Sequence, residues 1–199
     1  MAFEVGSVQN ETQDADERSL LQIAAGDRAA FGELFASYYP RLFRFLFRFT
    51  RSHGASEELA NDVLLTVWSD AAKFRGDSKV STWIFGIAYR KALANNRKRK
   101  SNLVALEDEH AAADHAGVRI EESDWVQDGI EALPNKQRLT IMLVYFLGMS
   151  CEETAVATGV PTSTVKTRMF HARRKLKTHL AASRVPQRWR EGEEKNHDD

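Results

Sequence analysis

Apolar residues recur three and four positions apart through most of the chain, and this period predicts helices rather than strands. Three helices are predicted in the first half. The first begins at Glu17, is interrupted at Gly26 and bends or restarts at Pro40. The second begins at Ser56, and the third covers residues 81–97.

Residues 41–49 allow two interpretations. Their phenylalanines alternate as in a strand, whereas Arg41, Arg44 and Arg48 recur at spacings of three and four. The arginine spacing and the helical pattern before it favour a helix. We therefore predict that the first helical segment continues through these residues and carries the three arginines on one face.

Two more helices are predicted in the second half, ahead of residue 150. One lies near residues 125–133, and the next is nearly all apolar, with Pro134 in its first turn and Gly148 after its end. Residues 1–16, 101–123 and 184–199 lack a helical period. We interpret them as a disordered tail, a flexible acidic linker and a second disordered tail.

The predicted fold class is all-α, with two small helical domains joined by the flexible linker. Residues 17–100 form a bundle of three or four helices, and residues 124–183 form the second domain. The second domain ends in two helices around a tight turn. Ser150 caps the first of them with Glu153 three positions on, Gly159 and Pro161 end it, and Thr162 or Ser163 caps the second.

The last helix carries an apolar stripe opposite a polar and basic face. The stripe consists of Val165, Met169, Ala172, Leu176 and Leu180. This is the layout of a helix-turn-helix, whose second helix enters the major groove of DNA. An ordinary helical hairpin with a solvated basic face is the alternative. The residues predicted to contact DNA are Thr162, Ser163, Thr164, Lys166, Thr167, Arg168, His171, Arg173 and Arg174.

Charge is segregated along the chain although the net charge is zero. Residues 21–102 carry fourteen bases and seven acids, and residues 132–184 carry nine bases and two acids. Residues 103–131 between them carry nine acids and one base. Two basic modules separated by an acidic spacer are typical of a protein in which each module binds a polyanion such as nucleic acid.

The remaining composition narrows the class of protein. No apolar run is long enough to span a membrane, and no secretory pattern opens the chain. The single cysteine, Cys151, excludes a disulfide framework and a site with several cysteine ligands. We therefore expect a cytoplasmic protein without a metal or a cofactor.

Aromatic and basic residues alternate in the loop at residues 73–80 and in the helix that follows, which ends in the basic run 97–100. Rings that stack on bases, beside cations that follow phosphates, suit single-stranded nucleic acid. Trp83 has an equally good interpretation as a core residue, and the basic run has one as a solvated helix end.

These motifs resemble the extracytoplasmic-function (ECF) sigma factors of the sigma-70 family over residues 17–100 and 124–181. Region 2 is similar to the segments at residues 26–38, 56–68, 74–76 and 81–88, and region 4 is similar to those at residues 133–138, 148–155, 159–161, 164–168 and 172–176. The resemblance implies a factor that binds core RNA polymerase and directs it to promoters. Region 2 would capture a melted −10 element, region 4 would read the −35 element, and an anti-sigma factor would control both.

The resemblance also implies site residues in region 2. Those expected to bind polymerase are Leu59, Asn61, Asp62, Leu65, Thr66 and Trp68. Those expected to bind the −10 element are Arg75, Gly76, Asp77, Ser78, Lys79, Ser81, Thr82, Trp83, Phe85, Tyr89, Arg90 and Arg97. The chain departs from the family where Asn61-Asp62 replace the usual Gln-Glu, Tyr89-Arg90 the usual Arg-Asn, and His171 a frequent Arg.

Two other classes of function compete. A stand-alone helix-turn-helix regulator with an N-terminal sensing domain would bind duplex DNA without polymerase, but it needs no base-stacking loop. An enzyme would need a site built from the histidines and Cys151, and no base or orienting acid is spaced to that thiol. We expect no catalytic residues.

Overall fold

The computed structural model describes residues 3–105 and 124–182 of the chain, and its regular elements there are helices. In chain order they are α1 (Phe3–Ala24), α2 (Arg28–Thr50), α3 (His53–Asp70), a short 3-10 turn (Ala71–Lys73), α4 (Val80–Ala105), α5 (Asp124–Glu131), α6 (Asn135–Tyr145), α7 (Cys151–Thr158) and α8 (Thr162–Ala182). The predicted all-α class is confirmed. No helix in these residues has the length and apolarity needed to cross a membrane.

Helix α2 forms because its start is capped and its period is apolar. The Asp27 carboxylate accepts the backbone N–H groups of Ala29 and Ala30 at 2.8 and 3.2 Å, which satisfies two of the donors that a helix start leaves open. The helix runs through Pro40 and ends at Thr50, and Arg51 follows as its left-handed cap, with a φ of 57°. The helical interpretation of residues 41–49 is thus confirmed.

Three predicted helix limits in the first half need correction. Helix α1 begins at Phe3, within the predicted tail, and it is held to α2 by a hydrogen bond from the Tyr38 hydroxyl to Asp16. Helix α3 begins at His53, because Ser52 is its cap and the Ser56 hydroxyl instead donates to the Ser52 carbonyl at 2.6 Å. Helix α4 continues to Ala105, into the predicted linker.

Other predicted segments lie outside the described residues. These are residues 106–123 of the linker and the second tail at 184–199. Within the described part, α5 and α6 occupy the positions predicted for them, with Pro134 immediately before α6.

The helix-turn-helix is built as its local sequence predicts. Ser150 Oγ accepts the Glu153 N–H at 3.0 Å, and Glu153 Oε2 accepts the Ser150 N–H at 2.8 Å, which completes a capping box. Gly159 adopts the left-handed conformation, with φ 66°, and ends α7. One detail differs. The Pro161 carbonyl receives the first backbone donors of α8, so Thr162 and Ser163 lie inside that helix and do not cap it.

One hydrophobic core joins the two halves of the chain. Its N-terminal members include Leu42, Leu46, Val63 and Ile84, all fully buried. Its C-terminal members come from α6, α7 and the loop between them: Leu139, Met142, Leu143, Met149 and Ala157. A smaller cluster, consisting of Leu133, Ile141, Ala155, Val165, Met169 and Ala172, seats α8 on α5–α7. The second half therefore packs directly on the first.

Candidate nucleic-acid interface

Helix α8 presents a hydroxyl-rich and basic face to solvent. Val165, Met169 and Ala172 are buried on its inner side. The candidate residues on its outer side divide by exposure: Ser163, Lys166, Thr167, Arg173 and Arg174 are exposed, and Thr162, Thr164, Arg168 and His171 are half-buried. Five of the nine predicted major-groove residues are thus exposed on α8, and four are half-buried. The side chain of Leu180, predicted for the stripe, lies outside the described ones.

Arg173 is positioned by a residue that sequence analysis missed. Its Nε donates to the Tyr145 hydroxyl at 3.0 Å, and its guanidinium lies 5.8 Å from the centre of the Tyr145 ring. Tyr145 is itself 58% exposed. Its position in an apolar helix gave no sign of this role, because only the fold brings α6 beside α8.

The predicted −10 residues lie together on α4 and the loop before it. Arg75, Gly76, Asp77, Lys79, Arg90 and Arg97 are exposed, and Ser78, Ser81 and Trp83 are half-buried. Gly76 has a φ of 76°, a conformation that glycine adopts without strain. The Trp83 ring packs against Phe74, with centroids 5.6 Å apart. Trp83 is thus partly a core residue and partly a surface one.

Three of the predicted −10 residues are not accessible in this structure. Thr82, Phe85 and Tyr89 are 1%, 0% and 4% exposed. Phe85 packs edge-on against Phe45 at 5.5 Å, and the Tyr89 hydroxyl accepts a hydrogen bond from Arg168 of α8 at 3.2 Å. The accessibility that DNA binding by these side chains requires is therefore not seen in this arrangement, because Phe85 packs on α2 of the first half and Tyr89 contacts α8 of the second.

The predicted polymerase-binding residues form a surface on α3, with one exception. Asn61, Asp62 and Leu65 are exposed, and Leu65 exposes 61% of its area although it is apolar. Thr66 is half-buried and donates to the Asp62 carbonyl, and Trp68 packs edge-on against Phe31 at 5.1 Å. Leu59 is the exception and needs correction. It is 7% exposed because it points into the core, so it lies behind this surface.

Two ion pairs hold the halves of the chain together at the edge of their contact. Lys79 Nζ lies 2.7 Å from Glu153 Oε1, and Arg51 Nε lies 2.6 Å from Glu131 Oε1. Burial would raise the pKa of the Glu153 carboxyl, but its bonds to Lys79 and to the Ser150 backbone outweigh burial and hold the pKa below its ordinary value.

Arginines on α2 also reach the second half. The Arg48 guanidinium lies 4.0 Å from the centre of the Phe146 ring. In the opposite direction, the guanidinium of the buried Arg138 on α6 lies 4.6 Å from the centre of the Phe49 ring on α2. Burial lowers the pKa of the Arg138 guanidinium. Arg41 and Arg44 join Arg48 along a cleft of about 310 Å³ between the halves, so the predicted one-face placement of these arginines is confirmed.

Comparison with known proteins agrees with this geometry. The family model Sigma-70 region 2 matches residues 34–102, and Sigma-70, region 4 matches residues 123–176. The ECF RNA polymerase sigma factor SigM of Mycobacterium tuberculosis is 32% identical over 163 residues, which cover 81% of this chain and 83% of SigM. The chain belongs to the ECF RNA polymerase sigma factors. The RNA polymerase sigma-H factor of Pseudomonas aeruginosa is 30% identical over 177 residues, covering 81% of this chain and 92% of that factor.

Solved structures place this sigma factor in the same fold. CnrH, in complex with the cytosolic domain of CnrY, matches with a TM-score of 0.65 and 25% identity over 85% of this chain and 99% of CnrH. The sigma factor RpoE of Bartonella quintana, in complex with the anti-sigma factor NepR, matches with a TM-score of 0.62 and 23% identity over 77% of this chain and 98% of RpoE.

The family settles the class of function that the sequence left open. Sigma factors are transcription initiation factors and not enzymes. The resemblance to ECF sigma factors is confirmed, and the stand-alone regulator is set aside. Among the described residues, no group of histidine, cysteine, aspartate and glutamate side chains could hold a metal ion.

Proposed function

We propose that this sigma factor acts in the bacterial cytoplasm, where it binds core RNA polymerase through α3 and directs it to promoters. Residues 17–100 bind polymerase and the melted −10 element, and residues 124–183 read the −35 element. The observation that carries the proposal is the exposed hydroxyl-rich and basic face of α8, held over a buried stripe in a chain whose α3 exposes Asp62 and Leu65.

Helix α8 suits duplex reading. Ser163 and Thr167 lie in its first turns, where a helix that enters the major groove comes closest to base edges. A hydroxyl group can donate or accept a hydrogen bond, so it can pair with different base edges in the groove. The contacts beside it then decide which base is preferred. The guanidinium groups of Arg173 and Arg174, two turns further on, are long enough to reach phosphates, which position the helix without reading sequence.

Helix α4 and the loop at residues 74–79 suit a single strand. Arg75 and Lys79 are exposed on the loop, and Arg90 and Arg97 are exposed on the helix. Cations in this arrangement follow a phosphate backbone, while a half-exposed ring such as that of Trp83 stacks on an unpaired base.

An anti-sigma factor is proposed as a further partner. CnrH, which shares 25% identity with this chain, was solved with the cytosolic domain of CnrY bound. In this chain Leu65 on α3 and Phe170 on α8 are each 61% exposed, which is unusual for large apolar side chains and leaves apolar surface for a partner on both halves.

Run-off transcription tests the proposed function. Core polymerase is supplied with a promoter library, with and without the full-length chain. We expect transcripts with defined start sites only when the chain is present. The promoters that are transcribed should share two sequence elements upstream of the start site. Binding of the chain alone to duplex DNA, without any new transcript from the mixture, would favour a stand-alone regulator.

Replacing Asp62 by lysine should weaken binding to core polymerase about tenfold, because it reverses a charge on the surface that faces a basic partner. The fold should persist, since Asp62 is exposed and its contact with Lys91 is a surface pair at 3.7 Å, worth less than about 1 kcal/mol. Affinity is measured by titrating labelled protein with purified core enzyme.

Glu33→Lys is the matched control, because it makes the same charge change at an exposed position of α2. It should bind core polymerase as the unaltered chain does. Equal affinity of the Asp62 variant and the control would remove Asp62 from the polymerase interface.

A further inference from the structure

Three arginines of α2 line one cleft between the two halves of the chain. Arg41, Arg44 and Arg48 recur at spacings of three and four, so they share one side of the helix. The cleft has a volume of about 310 Å³, which is in the range of pockets that hold small molecules. Its described lining is completed by apolar side chains of α2 and of the loop after α6, namely Phe45, Phe146 and Leu147.

The charged groups of this lining are all positive. It includes three guanidinium groups, and none of its described residues is acidic. Two acids of the region, Asp16 and Glu153, line a neighbouring cleft of about 250 Å³, which shares Arg41 and Leu147 with the first. Arg41 lies between the two clefts and interacts electrostatically with Asp16. An anion beside Arg44 and Arg48 therefore meets cations without meeting either carboxylate.

Aromatic rings orient two of the guanidinium groups. That of Arg48 lies 4.0 Å from the centre of the Phe146 ring, and that of Arg41 lies 5.6 Å from the centre of the Phe85 ring. A ring attracts the positive charge through its π electrons but offers no strong hydrogen-bond acceptor. These ring contacts thus position the two arginines without satisfying their N–H groups.

Arg44 has hydrogen-bond donors that the protein does not use. Its Nε donates to the Pro40 carbonyl at 3.2 Å, one turn earlier on α2. Arginine carries five N–H donors, and the four on the Nη atoms of Arg44 have no partner among the described residues. The side chain is exposed, so a ligand that enters the cleft from solvent can reach these donors.

The row of arginines suits a chain of phosphate groups. Arg41 and Arg48 are seven residues apart, which is about 10 Å along the helix axis, and Arg44 lies between them. A single carboxylate would leave two of the three guanidinium groups without a counter-charge from the ligand. Consecutive phosphates place an anionic group beside each arginine, and the planar fork of N–H groups fits phosphate oxygens in a bidentate manner.

We propose that this cleft binds a small molecule with a di- or triphosphate group, whose phosphates lie along Arg41, Arg44 and Arg48. None of these arginines is among the residues predicted to contact either promoter element, so the site is separate from the proposed DNA-binding faces. A nucleic-acid duplex does not suit it, because the loop at residues 146–147 forms a second wall across from α2.

Binding is tested on the full-length chain by isothermal titration calorimetry, with inorganic tripolyphosphate and ATP as probes in the absence of divalent cations. We expect saturable one-to-one binding of both probes. Inorganic phosphate, which can engage only part of the row, should bind at least about tenfold more weakly, because it makes fewer charge-assisted hydrogen bonds. Absence of saturable binding of both polyphosphates overturns the proposal.

Arg44→Gln is the decisive variant, because it removes one charge and the unused donors from an exposed side chain. It should bind both probes at least about tenfold more weakly than the unaltered chain. Arg28→Gln is the matched control, since it makes the same charge change at an exposed position in the first turn of α2. An equal loss in both variants would mean that binding follows net charge alone, and the proposal would fail.

Phe146→Ala tests whether the anion lies inside the cleft. It keeps every charge but removes the ring beside Arg48 and part of the second wall. Affinity for both probes should fall about two- to fivefold, as expected from the loss of one cation–π contact. Unchanged affinity here, with a loss in Arg44→Gln, would place the anion on the open side of α2 and overturn the cleft as its site.

Thermal unfolding gives a second measurement on the same proteins. A ligand that binds only the folded chain raises its melting temperature as the ligand concentration rises. ATP should therefore raise the melting temperature of the unaltered chain and of Arg28→Gln, and should raise that of Arg44→Gln less at equal concentration. Far-UV circular dichroism checks that all variants keep their helices.

A labelled single-stranded oligonucleotide is the other source of phosphate groups and is titrated in parallel. Its affinity should be the same for Arg44→Gln and for Arg28→Gln, because the cleft is separate from the proposed path of the melted strand. If the oligonucleotide bound more weakly to Arg44→Gln while neither polyphosphate bound saturably, the arginines would belong to a nucleic-acid interface and the proposal would be overturned.

Discussion

Replacing residues 75–79 by a glycine–serine segment of the same length is expected to abolish promoter opening while sparing assembly with core polymerase. The loop carries Arg75 and Lys79, two of the exposed cations on the proposed path of the melted strand. Without them and the side chains between them, the strand loses both phosphate contacts and base contacts at the point of capture. Open complexes are measured by permanganate footprinting, and assembly by titration with core enzyme.

The fold should tolerate this change. Residues 75–79 contribute nothing to the core, which resumes at the fully buried Val80. Gly76 is retained, since its φ of 76° would strain another residue. The change also removes the ion pair from Lys79 to Glu153, which lies at the edge of the contact between the two halves.

Lys73→Ser is the control, because Lys73 is an exposed cation just before the loop and pairs locally with Asp70 at 2.7 Å. It should open promoters normally. A full transcription bubble with the glycine–serine loop would exclude these residues from strand capture, and loss of assembly with core enzyme would assign them to the polymerase interface.

The helix-turn-helix could be predicted from sequence because its determinants are local. The capping box needs only Ser150 and Glu153, three residues apart, and the left-handed turn needs only Gly159. The stripe through Val165, Met169 and Ala172 follows from the helical period alone. None of these features depends on where the rest of the chain lies.

The faces of α3 and α4 could not be predicted in the same way. Leu59 and Leu65 are both leucines on one helix, yet only packing makes the first 7% and the second 61% exposed. Helical spacing places Thr82, Phe85 and Tyr89 on one side of α4, but it does not say whether that side meets a base or another helix. The Tyr89–Arg168 contact joins residues 79 positions apart, which no local pattern encodes.

The first residue of α3 could not be predicted from the local sequence either. Two serines, Ser52 and Ser56, precede an apolar period and both are suitable caps. In the structure Ser52 Oγ accepts the Ala55 N–H, whereas the Ser56 hydroxyl lies inside the helix, 2.7 Å from the Thr50 hydroxyl. The predicted start at Ser56 therefore lies three residues after the observed start at His53.

Substitutions in two groups of residues on α8 should affect DNA binding in different ways. Ser163→Ala and Thr167→Ala each remove a hydroxyl near the base edges. Each should change the preference among −35 sequences, with a lost base contact costing about 1–3 kcal/mol on the preferred sequence. Local stability should change little, because both residues are exposed and the Thr167 hydroxyl bonds only to the Ser163 carbonyl, one turn earlier.

Arg173→Ala and Arg174→Ala should instead weaken binding to all −35 sequences alike. Each lost phosphate contact should flatten the plot of log affinity against log salt concentration by about one unit. Arg174 should show the effect of its charge alone. Arg173 is also oriented by Tyr145, so Tyr145→Phe, which removes the hydroxyl that accepts from Arg173 Nε, should reproduce part of the loss with the charge retained.

The measurement uses holoenzyme on duplex promoter fragments over a range of salt concentrations, because region 4 shares its core with region 2 and is not tested alone. Lys136→Ala is the control, since it removes an exposed cation from α6, outside the proposed groove contacts. It should leave both sequence preference and salt slope unchanged. If the two arginine variants altered sequence preference and kept the full salt slope, α8 would not lie in the major groove in the way proposed.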